Sequence, residues 1–175
     1  VHLGFGAFHR AHQALLTDRV LNQFGGDWGI CEVVLFGSEN LIETLRFQAH
    51  RFTVLEKSPN GSKALIIGAI NESLHGHLDG IESIIEKLTE PQVAIVSLTI
   101  TEKGYCLSGV NNGSLNYENP MIKRDLSLPR APCSAPGVLV EALRRRRERS
   151  VTPLTILSCD NIPQNGCLIK NVVME

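Results

Sequence analysis

The sequence predicts an α/β fold: a mostly parallel sheet with helices on both faces and one inserted β-hairpin. Three observations lead to this prediction. A glycine turn separates a strand from a helix at the amino end. Apolar runs of strand length then alternate with segments of helical periodicity. A strand–turn–strand pattern surrounds Ser58-Pro59-Asn60-Gly61. Strands that alternate with helices favour a parallel sheet covered on both sides.

The glycine turn lies within the first ten residues. Val1–Leu3 is predicted to end a buried strand, Gly4 and Gly6 to form a tight turn, and Phe8 to lie near the start of a helix. This order is typical of a Rossmann-like dinucleotide fold, in which the turn backbone approaches a pyrophosphate. The match is partial because His9 stands where the third glycine of G-x-G-x-x-G would fall. The alternative is an ordinary strand-to-helix turn in which glycines supply unusual backbone angles.

The remaining elements follow from periodicity and from turn residues. Phe8, Ala11, Leu15 and the apolar residues that follow them predict the buried face of the first helix. Asn40 is predicted to cap the second helix. The predicted helices are Phe8–Phe24, Leu41–His50, Leu78–Leu88 and Ser134–Arg149. The predicted strands are Trp28–Phe36, Phe52–Glu56, Ala64–Ile70, Val93–Ile100 and Leu154–Ser158. A turn at Asn111-Asn112-Gly113 is predicted inside a loop-rich stretch that ends near Pro132.

Composition excludes several classes of protein. The 175 residues are 43% hydrophobic, and 17 basic residues balance 18 acidic ones, so a general nucleic-acid or membrane-surface binder is not expected. The five cysteines form no C-x-x-C, which favours reduced thiols in a cytoplasmic protein. No apolar run approaches the roughly 18 residues of a membrane span.

Both ends of the chain suggest truncation. The chain opens inside a strand without Met, and it closes within the apolar-periodic segment Lys170–Glu175. We therefore expect residues 1–175 to be one domain of a longer protein; the alternative is a complete small domain with ragged ends. The apolar face of the last segment (Leu168, Val172 and Val173) is expected to be exposed in such a fragment.

Three polar loops are expected to converge at one edge of the sheet. They are Gly4–Arg10, Thr99–Tyr105 and Ser158–Asn161, the last continued by Asn165-Gly166. Each follows a predicted parallel strand, and ligands of open parallel sheets bind beyond the carboxyl ends of the strands. This convergence strengthens the hypothesis of a nucleotide site.

The same stretches carry a family resemblance. Leu3–Gln13, Ser97–Tyr105 and Ser158–Asn161 resemble the mannitol dehydrogenase family of polyol-specific long-chain dehydrogenases. Trp28–Val33 and Leu55–Lys57 are most similar to its fructuronate reductase (D-mannonate oxidoreductase) branch. The resemblance implies an NAD(P)-binding domain that packs against a helical catalytic domain. In the family that second domain carries an acid–base lysine in a Lys-x4-Asn-x2-His pattern, which is absent here.

The resemblance also implies roles for individual residues. Gly4, Gly6, Ala7 and Phe8 are expected along the pyrophosphate. Thr99, Thr101 and Glu102 are expected near the nicotinamide. Asn161 is expected to donate a hydrogen bond to the substrate oxygen, with Asp160 orienting it; taken alone, without the other motifs, the Asp160-Asn161 pair favours a helix cap after a strand.

Cofactor choice depends on the tip of the second strand, which reads Phe36-Gly37-Ser38-Glu39. Glu39 is the candidate to hold a ribose hydroxyl, and no arginine stands at the tip to hold a 2′-phosphate. NAD is therefore expected, with NADP left open.

The implied reaction is hydride transfer between NAD(H) and a sugar acid or polyol, D-fructuronate/D-mannonate first. The alternatives are mannitol or arabinitol oxidation by the same machinery, or a non-catalytic fragment that only binds nucleotide. The expected partner is thus a small molecule, with no nucleic acid and no membrane.

Two further patterns have structural interpretations. The pairs His9/His12 and His75/His77 lack the additional ligands of a metal site, so no metal is expected. His9 is expected near the phosphates, with looser packing of helix on strand. The basic run Arg144–Arg149 at a helix end is interpreted as a solvated face that suits the helix dipole, rather than as a nucleic-acid contact.

Overall fold

The computed structural model describes residues 1–109 and 113–175. Its strands are β1 (His2–Leu3), β2 (Ile30–Val34), β3 (Phe52–Ser58), β4 (Gly61–Ile67), β5 (Ile70–His75), β6 (Ile95–Leu98) and β7 (Thr155–Ser158). Five of them form a parallel sheet in the order β5-β2-β1-β6-β7, whereas β3 and β4 pair as an antiparallel hairpin. The predicted α/β class and the inserted hairpin are confirmed.

The helices connect the strands and cover both faces of the sheet. They are α1 (Ala7–His9), α2 (Leu15–Phe24), α3 (Glu39–Phe47), α4 (Ile81–Thr89), α5 (Thr101–Gly104), α6 (Pro120–Ser127), α7 (Ala135–Glu148) and α8 (Asn165–Met174). Apolar residues of α4, α7 and α8 pack with the sheet in the larger core, and α3 packs with Phe5 and Val34 in a smaller one. None of the helices in residues 1–109 and 113–175 has the length and apolarity that crossing a bilayer requires.

A π-helical turn, Arg10–Ala14, joins α1 to α2 in one continuous helical segment. A π turn is wider than an α turn, so residues five apart share a face there. His9 and Ala14 are therefore the buried residues, whereas Phe8 is 59% exposed. The predicted inward face through Phe8 and Ala11 is wrong, because its spacing assumed an uninterrupted α-helix.

Other predicted details are also corrected. Ser38, not Asn40, is the N-cap of α3, and its backbone is left-handed (φ 64°). Strand β5 and helix α6 were missed. A two-residue link separates β5 from the hairpin, and α6 lies in the stretch predicted as loop, where Asn119 caps it and Pro120 opens it. Of the turn predicted at Asn111-Asn112-Gly113, only Gly113 lies within the described residues.

The carboxyl-terminal elements pack more tightly than expected. Leu168 and Val172 of α8 are buried and Val173 is partly buried, so the expected exposure of this face is wrong. Arginines 144, 145 and 149 form ion pairs with glutamates of α4 and α7. The expected solvated face is wrong for Arg145 and Arg146, whose exposed fractions are only 13% and 2%.

Candidate functional site

At the carboxyl edge of the sheet, the connections after two neighbouring strands lead in opposite directions. From β1 the chain proceeds to β2 and β5 on one side and then returns to β6 and β7 on the other. The loops after β1 and β6 therefore diverge at a topological switch point, which is where open α/β sheets bind ligands. These loops contain Gly4–Phe8 and Thr99–Glu102, two of the three loops predicted to converge.

Gly4 is required by the fold itself. Its φ of +115° belongs to glycine, and an added Cβ would lie 2.2 Å from the carbonyl oxygen of Thr99. Its N–H donates to the Val33 carbonyl at 2.9 Å. The glycine thus allows β1 to turn while in close contact with the loop after β6.

Gly6 faces open space instead. It precedes α1 with an extended backbone (φ −76°, ψ 168°), and a Cβ placed on it would meet nothing within 4 Å. Its N–H donates to the Gly4 carbonyl at 2.9 Å, which closes the turn. Ala7 and Phe8 are exposed beside it. Gly6 therefore leaves an open cradle at the start of a long helical segment, which fits the approach of a pyrophosphate.

An apolar cleft opens over this turn. It has a volume of about 320 Å³ and lies between the ends of β1 and β2 and the α5 region. Its walls include Leu35 and Phe36 from the end of β2, Ile100 and Gly104 from the loop after β6, and Met121 of α6. An apolar cleft of this size suits an aromatic base.

Asp160 connects the loop after β7, in which it lies, to the loop after β6. Its carboxylate accepts hydrogen bonds from the N–H groups of Ile100 and Thr101, both at 3.0 Å, and from the Tyr105 hydroxyl at 2.8 Å. Burial, together with the Asp160 charge, raises the pKa of Tyr105. The Asp160 carboxylate thus holds the loop after β6. The sequence suggested instead that this carboxylate orients the Asn161 side chain.

Asn165 is a site residue whose role the sequence did not indicate. Its amide donates to the carbonyls of Ser158 and Asp160, at 3.1 and 3.0 Å, and fixes the loop after β7. On the outer side of these loops, Thr101, Glu102 and Asn161 are exposed. The Thr99 hydroxyl points inward and donates to the Gly4 carbonyl at 2.9 Å.

Glu39 lies in the first turn of α3, directly after the tip of β2. Its carboxylate is partly exposed and lies 3.6 Å from Nδ1 of His77. Nε2 of His75 lies 2.8 Å from the Gly37 carbonyl oxygen and supports this tip. Arg46 donates instead to Asp79 and Ser73, which leaves Glu39 as the charged side chain at this position.

A buried polar cluster lies beneath the glycine turn. The imidazoles of His2 and His9 stack with ring centroids 3.5 Å apart, and Nε2 of His9 lies 3.0 Å from Oε2 of Glu32. His9 is fully buried against the sheet, so its expected position near the phosphates is wrong. The available signal was Glu32, a carboxylate inside an otherwise apolar strand.

These three side chains hold potential metal-ligand atoms within 4.8 Å of one another. Stacked imidazoles, however, direct their nitrogen lone pairs along parallel planes rather than at one point. Tetrahedral coordination by both rings does not fit this geometry.

Known proteins match this chain over nearly its whole length. A D-mannonate oxidoreductase and an uncharacterised oxidoreductase, YeiQ, both of Escherichia coli K12, are 50% and 62% identical to it over 99% of the chain. The chain spans only 36% of the length of each.

The solved structures agree. A Pseudomonas fluorescens mannitol 2-dehydrogenase, in ternary complex with NAD and D-mannitol, superposes with a TM-score of 0.90 at 37% identity; the match covers 99% of this chain and 35% of that one. The family model described as "Mannitol dehydrogenase Rossmann domain" matches residues 1–175, and the chain therefore belongs to the mannitol dehydrogenase family, as its Rossmann domain.

Proposed function

We propose that this chain is the cofactor-binding domain of an NAD(H)-dependent oxidoreductase acting on a sugar acid or polyol, with D-fructuronate/D-mannonate as the substrate pair. The observation that carries the proposal is the open Gly6 cradle at the switch point of a parallel sheet. A relative of that architecture, the Pseudomonas enzyme, is solved with NAD.

The residues divide by their place along this edge. Gly4 shapes the turn, while Gly6, Ala7 and Phe8 line the space for the pyrophosphate. The apolar cleft receives the adenine. Thr99, Thr101 and Glu102 border the nicotinamide side, where the bound cofactor gives or accepts a hydride. Asn161 donates to the substrate oxygen and stabilises its developing negative charge. Asp160 is a positioning residue, since its carboxylate holds Ile100 and Thr101.

The Glu39 carboxylate supports NAD over NADP. A carboxylate at the tip of the second strand binds the ribose hydroxyls and repels a 2′-phosphate. Arg46, the arginine of α3, is already engaged by Asp79. We expect Glu39→Gln to narrow the preference for NADH over NADPH, measured as the ratio of the two dissociation constants.

The sugar-acid substrate is supported by the relatives. The D-mannonate oxidoreductase is 50% identical to this chain, whereas a Saccharomyces cerevisiae mannitol dehydrogenase is 40% identical. Mannitol or arabinitol oxidation is the second candidate. A helical domain outside this chain, packed on this one, is proposed to supply the acid–base lysine and the cation that a substrate carboxylate requires.

The first experiment titrates the protein with NADH and NADPH and follows nicotinamide fluorescence. It uses the full-length protein and, beside it, the 175-residue chain. Gly6→Val fills the cradle and should abolish saturable binding without changing the unfolding midpoint. Gly109→Val is the matched control, because a Cβ at Gly109 also meets nothing within 4 Å.

Loss of NADH binding in both variants, or in neither, would contradict the proposal that the pyrophosphate binds at Gly6. Binding without turnover in the full-length protein would favour a non-catalytic nucleotide-binding protein. A panel of D-fructuronate, D-fructose and pentuloses with NADH then separates the two candidate reactions, since mannonate oxidoreduction predicts a clear preference for the carboxylate-bearing substrate.

A further inference from the structure

Six side chains connect Glu32 in the middle of the sheet to the carbonyl of Gly4. We call them the inner relay; in order they are Glu32, His9, Gln13, Ser97, His2 and Thr99. Successive members lie 2.7 to 3.2 Å apart. His2, His9, Glu32 and Ser97 are buried.

The half of the relay nearest the turn has a defined direction. The Thr99 hydroxyl donates its hydrogen to the Gly4 carbonyl, so its oxygen accepts from Nε2–H of His2 at 2.9 Å. Burial and the neighbouring His9 lower the pKa of His2 to about 2, so the ring is neutral and Nδ1 carries no hydrogen. Nδ1 therefore accepts from the Ser97 hydroxyl at 2.7 Å.

The other half continues in the same direction. The Ser97 oxygen accepts from the Gln13 amide at 3.2 Å. The Gln13 carbonyl oxygen can only accept, so Nδ1 of His9, 3.2 Å away, is the donor. At the start of the relay, Nε2 of His9 lies 3.0 Å from Oε2 of Glu32, and burial raises the pKa of Glu32. Every hydrogen bond from His9 onward thus donates toward the turn.

The position of His9 explains why the turn needs these hydrogen bonds. It stands where the dinucleotide fingerprint has its third glycine, which permits close packing of helix on strand. Here the His9 ring lies beneath the helix and stacks on His2 of β1 at 3.5 Å. Without a small residue to bring helix and strand together, hydrogen bonds must fix the turn between them.

We propose that the inner relay is a positioning device for the cofactor: it holds the Gly4 carbonyl and Thr99 in place, so that the cradle at Gly6 is formed before the cofactor arrives. This rests on the proposed function. Apart from Thr99, which borders the nicotinamide side, the relay touches neither cofactor nor substrate; it acts through the Gly4 carbonyl, which also accepts the N–H of Gly6 at 2.9 Å. A preformed turn lowers the ordering cost of binding.

The test breaks the relay in its middle, away from the turn. Ser97→Ala removes the donor that orients His2. Ser73→Ala is the matched control, because Ser73 is an equally buried strand serine whose hydroxyl contacts Arg46 and His50 instead. In the full-length protein we expect Ser97→Ala to raise the NADH dissociation constant and the KM for NAD by about fivefold, the value of one hydrogen bond. We expect kcat at saturating NAD to stay within about twofold.

A second pair of variants keeps the proposal testable if Ser97→Ala does not fold. Thr99→Val removes the last donor without changing the shape of the side chain, and Thr99→Ser restores it. We expect weaker NADH binding in the first and recovery in the second, with similar unfolding midpoints for both.

Equal NADH affinity in Ser97→Ala and Ser73→Ala, with only a lower unfolding midpoint, would overturn the proposal and leave the relay a purely structural network. The same holds if Thr99→Val binds like Thr99→Ser. Failure of the proposed function looks different, since the unsubstituted full-length protein would then bind neither NADH nor NADPH.

Discussion

The inner relay and the surface of α4 and α7 are two polar networks of opposite character. The first is a largely buried chain of polar side chains that is hydrogen-bonded in one direction from His9 to the Gly4 carbonyl. The second, here called the outer network, joins Arg144, Arg145 and Arg149 to four glutamates: Glu82, Glu86, Glu141 and Glu148. It is multiply charged, and four of its seven side chains, those of Glu82, Glu86, Glu148 and Arg149, are about half exposed or more, whereas Glu141 is buried.

The inner relay defines the position of atoms, whereas the outer network mainly contributes to stability. A buried polar group is costly when unpaired, so the inner relay tolerates few alternative arrangements and defines a position. Exposed ion pairs are screened and exchange partners easily, so the outer network holds two helices together without defining any atom sharply. The following predictions test this contrast in order of expected effect.

The largest effect is expected at the end of the inner relay. Gly4→Ala places a Cβ 2.2 Å from the Thr99 carbonyl oxygen in a backbone conformation unfavourable for alanine. We expect a loss of about 3 kcal/mol or more in the free energy of unfolding. Urea denaturation measures it, with Gly6→Ala as the control. Similar midpoints for the two variants would contradict the close approach.

The next effect concerns Arg146, the one buried arginine of the run Arg144–Arg147. Its guanidinium donates to the carbonyls of Leu88, Glu90 and Thr152, and 2% of the residue is exposed. Arg146→Met leaves those acceptors unpaired and should cost about 3 kcal/mol. Arg147→Met, at an exposed neighbour, should cost less than about 0.5 kcal/mol. Thermal unfolding of the two variants gives the comparison.

Acid should weaken both networks in different pH ranges. The ion pair with Arg144 holds the pKa of Glu141 at about 2, and that with Arg149 holds the pKa of Glu86 at about 2. Both values are depressed, so this stability is complete above about pH 4.5 and is lost as the pH falls toward 2. The depressed pKa of His2 makes the folded state bind fewer protons than the unfolded chain, so stability also declines below about pH 6.5.

Unfolding free energies measured from pH 7 to pH 3 test this separation. Glu141→Gln should flatten the slope below pH 4.5 and leave the slope between pH 6.5 and 5 unchanged. An equal change in both ranges would show that the two networks titrate as one.

The smallest effect is expected at the exposed end of the outer network. Arg149 pairs with Glu86 at 2.7 Å, and both side chains are about half exposed. Arg149→Ala should lower the urea midpoint only slightly, and the difference should shrink as sodium chloride is raised to 1 M. The reading is the difference in urea midpoint from the unsubstituted protein, and a salt-independent cost would contradict an exposed ion pair.

The sequence was sufficient for the parallel class of the sheet and for the switch point at its carboxyl edge, although it missed β5. Two glycines between a strand and a helix and polar loops after three strands were enough to predict the switch point, because parallel strands bring their carboxyl ends to one edge. Ser134 and Pro136 likewise predicted the start of α7, where the Ser134 hydroxyl accepts from the Gly137 N–H.

The sequence was insufficient where a side chain's role depends on a distant partner. Asp160 follows a strand as a helix cap would, and only the fold brings it to the N–H groups of Ile100 and Thr101, 59 or more residues away. His9 resembled a substitute for glycine because its partner Glu32 lies on β2, 23 residues further along the chain. The N-cap of α3 was mispredicted for a local reason, because a serine with a left-handed backbone is uncommon at this position.

Because of the π-helical turn, the first helical segment must keep its present number of residues. A π turn behaves as one residue inserted into an α-helix. Deleting one residue from 10–14 would restore a regular helix and rotate everything before it by about 100°. His9 would then leave Glu32, and the glycine turn would be carried away from the loop after β6. Lineages of this domain should therefore accept many substitutions on the outer side of the segment, yet no single-residue deletion within it.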